Sequence, residues 1–422
     1  MVLDVNQSLY LELFENLCYS NITVKKIYTG RKKTMKKILA LVLAMVMMLT
    51  VMAGCSNNEE PANNESESQG EVVDNEGEDN SEAEIAVAMV TDYGDITDQS
   101  FNQTTYEACK EFCEANDLAF EYFKPASDSD EDRIAQIENA IDKGYNVVVM
   151  PGFAFANAIK ATADVYPEVT FVALDVSAGD LGDDYTVPAN LYCAVYQEEL
   201  CGYMAGYAAV KLGYTKLGFL GGMAVPAVVR YGYGFVQGAD AAAAETGAAV
   251  EINYAYGNQF YGDADITAAM DTWYGAGTEV VFACGGSIYT SAAEAAAKAN
   301  AKVIGVDVDQ SGIIDGGYGE GMTVTSAMKG LATTVNDVLT KIVAGEFEGG
   351  QIATLGLVSE NPEENFVQIP MTTQFDENFT ADDYKALVAA MYAGDIVVSN
   401  DTTVSAADNA TVVTVNDLGN IK

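Results

Sequence analysis

The 422-residue chain contains no histidine, one tryptophan and eight prolines. Without histidine, neither a Ser-His-Asp nor a Cys-His nucleophile can be assembled, and the commonest zinc ligand is missing. Positive charge is scarce as well. Lys and Arg number 21 against 62 Asp and Glu, a formal net charge of −41. Nucleic acids are bound through basic faces, so no nucleic-acid partner is expected. The acidity reads instead as a solubilising surface. No GxGxxG follows an apolar run and no GxxxxGK[ST] occurs, while Gly218–Gly222 (GFLGG) lacks the fingerprint spacing. A dinucleotide or nucleoside-triphosphate enzyme is therefore unsupported, and no cofactor is expected. The cysteines include no CxxC pair, and Cys109 and Cys113 lie one helical turn apart, too far for an easy disulfide. They read as small buried apolar residues.

What is present begins with a targeting device. Lys36 and Lys37 follow Met35, and Ile38–Val51 is almost unbroken apolar sequence ending in VMAGC at 51–55. A basic start, a short apolar run and small residues before the cut describe a secretory signal. The run is short for a transmembrane helix and has no basic flank after it. Cysteine directly after Ala-Gly resembles a bacterial lipobox, making Cys55 the expected lipidated residue. Residues 1–34 precede this signal without a pattern of their own, which points to Met35 as the start. Ser56–Glu84 holds eleven acidic residues and no Lys or Arg, a composition that stays extended as a tether. The expected location is the outer face of a cell membrane, with the folded body held just off its surface.

From Ile85 the pattern alternates. Strand-like runs at 85–90, 118–123, 146–150, 169–174, 216–220, 249–255, 279–283 and 302–306 are separated by helical patterns at 101–116, 130–143, 153–166, 198–211, 227–246, 263–274 and 287–299. Such alternation implies parallel sheets covered by helices, and this length suits two doubly wound α/β lobes. The acid cluster Asp128–Asp132 lacks the glycine and closing glutamate of a calcium loop, so it is read as a helix cap. Several runs end in acids: Asp98 after the first, Asp175 after the fourth, and Asp307, with Asp309 close by, after the last. Strand carboxyl ends are where doubly wound folds bind ligands, and carboxylates suit sugar hydroxyls. An acid there can equally cap a helix or form a turn.

The segments DQSFNQ (98–103), VVVMPGFAF (147–155), TFVALD (170–175), ELCGYMAGYAA (199–209), LGFLGGMAVPAVVRYGYGFVQGAD (217–240), VVFACGGSIYTSAAEAA (280–296), VIGVDVDQ (303–310), TSAMKG (325–330) and AGDIVV (393–398) fall in the order and spacing of the basic membrane protein family. The chain from about Ile85 to Val398 resembles these substrate-binding lipoproteins of ABC importers, which include purine nucleoside receptors. The resemblance implies a monomeric, hinged receptor, similar in fold to periplasmic sugar-binding proteins, that closes on a small molecule and delivers it to a permease powered by an ATPase. Its lobes would be 85–193 with about 322–356, and about 194–321 with about 357–400, leaving 401–422 as a tail. Carried over by position, Asp98, Phe101, Asn102 and Asp175 would face the cleft from the first lobe. Phe235 and Asp307 would face it from the second, with Lys329 reaching in as a donor. Two opposed rings would sandwich a purine. Phe101 and Phe235 also fit core positions, Lys329 also fits a solvated helix start, and Asp309 could take the place of Asp307.

Two readings of other classes stand beside this one. A secreted nucleoside hydrolase would use Asp98 and Asp175 as acid and base, yet nothing in the sequence marks either as unusual. A ligandless surface protein of the same fold would tolerate loss of Asp307.

Overall fold

A computed structural model describes residues 84–182 and 184–422. The signal, Cys55 and the tether up to residue 83 lie outside the described residues. The described chain forms a six-stranded sheet and a seven-stranded sheet. The first uses β1 (Ala86–Val90), β2 (Ala119–Phe123), β3 (Val147–Pro151), β4 (Thr170–Leu174) and β5 (Leu191–Tyr196). Its helices are α1 (Phe101–Ala115), α2 (Asp130–Asp142), α3 (Ala156–Thr162) and α4 (Ala178–Leu181). The second uses β6 (Lys216–Gly221), β7 (Glu251–Tyr256), β8 (Val280–Cys284), β9 (Lys302–Asp307) and β10 (Thr323–Lys329). Its helices are α5 (Glu198–Lys211), α6 (Pro226–Thr246), α7 (Ala264–Gly275), α8 (Tyr289–Ala299) and α9 (Ser311–Tyr318). Then α10 (Leu331–Val343) and β11 (Gln351–Leu355) return to the first sheet, and β12 (Val367–Gln368), α11 (Ala381–Tyr392) and β13 (Thr414–Asn420) to the second.

Strand order is β11-β5-β4-β3-β1-β2 in one sheet and β12-β10-β9-β8-β6-β7-β13 in the other. Among the described strands only β12 runs antiparallel to its neighbour. The two sheets therefore repeat one doubly wound order, with β4 and β9 in equivalent places. The repeat extends to backbone detail. Asp175 after β4 and Asp307 at the end of β9 both adopt left-handed φ values, 59° and 65°. The central strands are apolar throughout because helices cover both faces, and β1, β3 and β8 are buried almost end to end.

The chain crosses between lobes at Gln197, at Gly330 and over 356–366. These crossings lie side by side. The Gln197 N–H donates to the Leu355 carbonyl (2.9 Å), Gly330 N–H to Phe366 O (2.7 Å), and Phe366 N–H to Gly356 O (3.1 Å). The second crossing falls later than the boundary near 321/322 that the resemblance implied. Thr323–Lys329 pairs with β9 in the second sheet, and its polar text (TVTSAMK) hid that strand. The carboxy-terminal residues are likewise no tail. Asp240 on α6 accepts N–H groups from Thr411 (2.9 Å), Val412 (2.7 Å) and Val413 (2.9 Å), and β13 then pairs parallel with β7.

Local capping explains several helix starts. Ser129 accepts from Asp132 N–H at the head of α2, where Arg133 pairs with Asp128 and Asp130, so the acid cluster caps and salt-bridges. In the first lobe, 153–166 resolves into a short 3-10 turn and α3 rather than one continuous helix. Cys109, Cys113, Cys193, Cys201 and Cys284 are all buried and unpaired.

One helix pair sets the second lobe. Gly202 and Gly206 of α5 face Gly234 and Gly238 of α6 so closely that a Cβ on any of them would lie within 2.0–2.2 Å of a carbonyl oxygen of the opposite helix. Only glycine fits this crossing. Gly206→Ala is expected to destabilise the protein by about 1–3 kcal/mol, the usual range for overpacking, as measured by urea unfolding.

Candidate functional site

The carboxyl ends of both sheets face a cavity of about 370 Å³. Its walls come from the residues that follow each strand: Asp92 after β1, Gly152 after β3, Asp175 after β4, Gly285 after β8, Asp307 and Lys329 at the ends of β9 and β10. The first lobe's wall lies at its order-reversal point, where doubly wound sheets leave a crevice.

Of the residues singled out by sequence, Asp98, Phe101, Asn102, Asp175, Asp307 and Lys329 line this cavity. Phe235 does not. It is wholly buried, with its ring centroid 5.4 Å from that of Phe282 and 6.5 Å from that of Phe219, because the glycine crossing pulls this turn of α6 against α5. One turn earlier Arg230 and Tyr231 reach the cavity instead. Asp309 is also excluded from the wall. Its carboxylate accepts the N–H of Ser311 (3.0 Å) and the hydroxyl of Thr372 (2.7 Å).

Asp98 turns out to be the cap of α1. It accepts the N–H groups of Ser100 (2.9 Å), Asn102 (3.0 Å) and Gln103 (3.0 Å) and the Asn102 side-chain amide (3.3 Å). Burial pushes its pKa up, although these backbone donors hold it down in part. Ser100, at the N-cap position, makes no capping bond; its hydroxyl donates to Asp307 Oδ2 at 2.5 Å across the lobes. With Asp98 gripping its amide, Asn102 leaves Oδ1 buried without a partner. Asp175 Oδ1 is in the same condition. Buried acceptors of this kind cost free energy unless something donates to them.

The back wall is an ion-pair network. Lys329, buried rather than at a solvated helix start, donates to Asp175 Oδ2 and lies 3.5 Å from Glu198 Oε1 and 3.9 Å from Asp307 Oδ1. Its ammonium also stands over the rings of Phe101 (4.7 Å), Tyr196 (5.4 Å) and Tyr231 (5.7 Å). Burial pulls its pKa down, but Asp175, Glu198 and Asp307 together outweigh this and keep it charged. Arg230 Nε donates to Glu198 Oε2 (2.7 Å), and Tyr231 OH to Asp307 Oδ1 (3.3 Å). Burial raises Asp175 to about 6, with Lys329 opposing the rise.

Phe260 is the ring that sequence reasoning missed. It lines the cavity from the second lobe, and Gly222 and Gly285 are packed so tightly on it that a Cβ on either would lie 2.3 or 2.8 Å from its ring. The signal was the paired glycines at 221–222 and 285–286, where Gly222 and Gly285 make room for its ring. Among the described residues no group of His, Cys, Asp and Glu is placed to hold a metal ion.

A model of the PnrA-like ABC transporter substrate-binding proteins matches residues 85–381. The chain belongs to this Bmp family. The family is one of substrate-binding proteins of ABC transporters, so the chain is a binding protein and not an enzyme. It is 28% identical over 339 residues to the ABC transporter nucleoside-binding protein BmpA of Lactococcus lactis subsp. cremoris (strain MG1363), covering 76% of this chain and 89% of that one. It is 24% identical over 331 residues to an uncharacterized lipoprotein of Pyrococcus abyssi (strain GE5 / Orsay), covering 76% and 74%. Among solved structures it is similar to an ABC transporter solute-binding protein from Conexibacter woesei DSM 14684, with a TM-score of 0.58 at 21% identity, covering 75% of this chain and 99% of that one. That likeness is one of fold.

Glu199, beside Glu198, is 2% exposed, and its Oε2 has no hydrogen-bond partner. Burial raises its pKa to about 7. A carboxyl group whose folded pKa lies above its unfolded one stabilises the fold at low pH and loses that contribution as pH rises through the folded value. Glu199→Gln is therefore expected to raise the melting temperature relative to the unchanged protein at pH 8, by an equivalent of about 1–3 kcal/mol, and to have little effect at pH 5. Calorimetric melting at both pH values measures this.

Proposed function

We propose that this chain is the lipid-anchored receptor of an ABC importer and that it captures purine nucleosides in the cavity between its lobes. One observation carries the reading. The same 370 Å³ space has ring walls from opposite lobes, Phe101 and Phe260, and buried acceptors lacking donors, Asn102 Oδ1 and Asp175 Oδ1. Small-molecule pockets run from about 300 to 1,000 Å³, and a flat base with a hydroxyl-bearing sugar uses both features. The printed name of the Lactococcus relative supports the same ligand class.

On this reading Phe101 and Phe260 take the two faces of the base. Phe260 replaces the core ring Phe235 in the sandwich. The ribose hydroxyls donate to Asp175 and Asp307, Asn102 Oδ1 accepts from the ligand, and Lys329 supplies a donor. Asp98 acts by holding the turn that presents Phe101 and Asn102. The lipobox-like sequence at Cys55 and the acidic tether support a receptor held outside the cell membrane, where it would hand its ligand to the permease and ATPase of the transporter. Among the described residues no helix is long and apolar enough to cross a membrane.

Titration calorimetry with adenosine, guanosine, inosine and ribose tests the reading. Nucleosides are expected to bind in the micromolar range or tighter and ribose far more weakly. Phe260→Ala is expected to weaken nucleoside binding by about 10–100-fold, the loss of one stacked base contact of ~1–3 kcal/mol. Nucleosides that stay unbound up to millimolar concentration, while another solute binds, would overturn the nucleoside assignment and leave the receptor.

A further inference from the structure

The lobes meet at a second place, beside the cavity rather than across it. On the first lobe this is the Gln99–Ser100 turn that opens α1. On the second it is the turn from Asp307 to Gln310 that links β9 to α9. Gln310 is 1% exposed and fixed at both ends. Its backbone N–H donates to Ser326 Oγ (3.1 Å), and its side-chain Oε1 accepts the N–H of Val306 (2.9 Å). A Cβ on Gly305 would lie 2.8 Å from that Oε1, so the amide has a tailored seat. The remaining Nε2 donates across the lobes to the Gln99 carbonyl at 3.0 Å. The Ser100–Asp307 bond joins the same two turns.

Both turns carry a non-glycine residue in the left-handed region, Gln99 at φ 57° and Asp307 at 65°. Such conformations are costly and persist only where surrounding contacts fix them. Here each strained turn is held by the other. The seryl hydroxyl has no capping duty, since Asp98 does that work, and its one role in the structure is this bridge.

We propose that Gln310 is a positioning residue, which together with Ser100 clamps the two cavity-facing turns so that closure of the lobes is held by the protein's own hydrogen bonds. Neither Gln310 nor Ser100 lines the cavity. The clamp fixes the Asp98–Asn102 turn in its working shape and raises the closed fraction before and after a ligand enters. A ligand then has less closure to drive, and it leaves more slowly.

Gln310→Glu tests this without removing the seat. Its carboxylate still accepts from Val306 N–H but sets oxygen against the Gln99 carbonyl. Ser100→Ala removes the other bond from the opposite lobe. The full chain carrying either change, or both, is first checked by circular dichroism for retained fold. Small-angle X-ray scattering without ligand should then show a larger radius of gyration in the double variant. Stopped-flow binding of inosine should show dissociation about three- to tenfold faster for each single variant, with an association rate that does not fall. A merely structural role would not split the rates in this way. The kinetic measurement rests on the nucleoside reading and the scattering does not, so an unchanged protein that fails to bind inosine sinks that reading while scattering still decides the clamp. A double variant with unaltered scattering, and unaltered inosine dissociation wherever inosine binds, overturns the clamp.

Discussion

The ammonium of Lys329 is the interaction on which the rest of the site depends. It ends a strand of the second lobe, bonds a carboxylate of the first, and lies against Glu198 at the first crossing. Removing it would leave Asp175, Glu198 and Asp307 facing one another in a buried space, an arrangement that costs several kcal/mol. The same charge sits over the Phe101 ring, so one cation organises the acids, an aromatic wall and the hinge together. Glu198 shares its other oxygen with Arg230, which extends the network to the head of α6.

That network is reachable only because α5 and α6 cross at backbone distance. Four glycines let the helices approach until carbonyl oxygens fill the space side chains would take. The crossing places Glu198 next to Arg230 and Tyr231 at the cavity, and sends Phe235 into the core. Packing in the lobe's interior thus decides which ring of a Tyr-Phe pair faces a ligand.

Much of the architecture was legible in the sequence. The apolar runs ending in Asp175 and Asp307 are short, bounded and β-branched, so the strand-end rule marked both acids as candidates and the family resemblance assigned them to the cleft. Elements with weaker local signals escaped: β10 is rich in polar residues although buried, β11 is half exposed, and β13 carries a Gly-Asn end. Lys329 lines the cavity from the end of a buried strand, a placement that its polar neighbours did not signal. Phe235 failed for a different reason. Tyr231 and Phe235 lie four residues apart on one helix face, and periodicity cannot tell which turn borders a cavity. Asp98 was read as capping or binding, and its carboxylate is now seen spent on amides, with Asn102 left to face the ligand space.

The pairing of β13 with β7 bears on how the chain comes to be folded at all. A ribosome makes Glu251–Tyr256 long before Thr414–Asn420, and the first sheet likewise waits for β11 to reach β5. Neither sheet can be completed from a continuous stretch of chain. While the polypeptide is still emerging, both lobes keep an open strand edge, and an unpaired edge invites pairing with a neighbouring chain. Late completion keeps the first sheet unfinished until β11 has been made, and the second until the chain beyond residue 413 has been made. The last seven-residue strand then serves as the closing stitch once the end arrives.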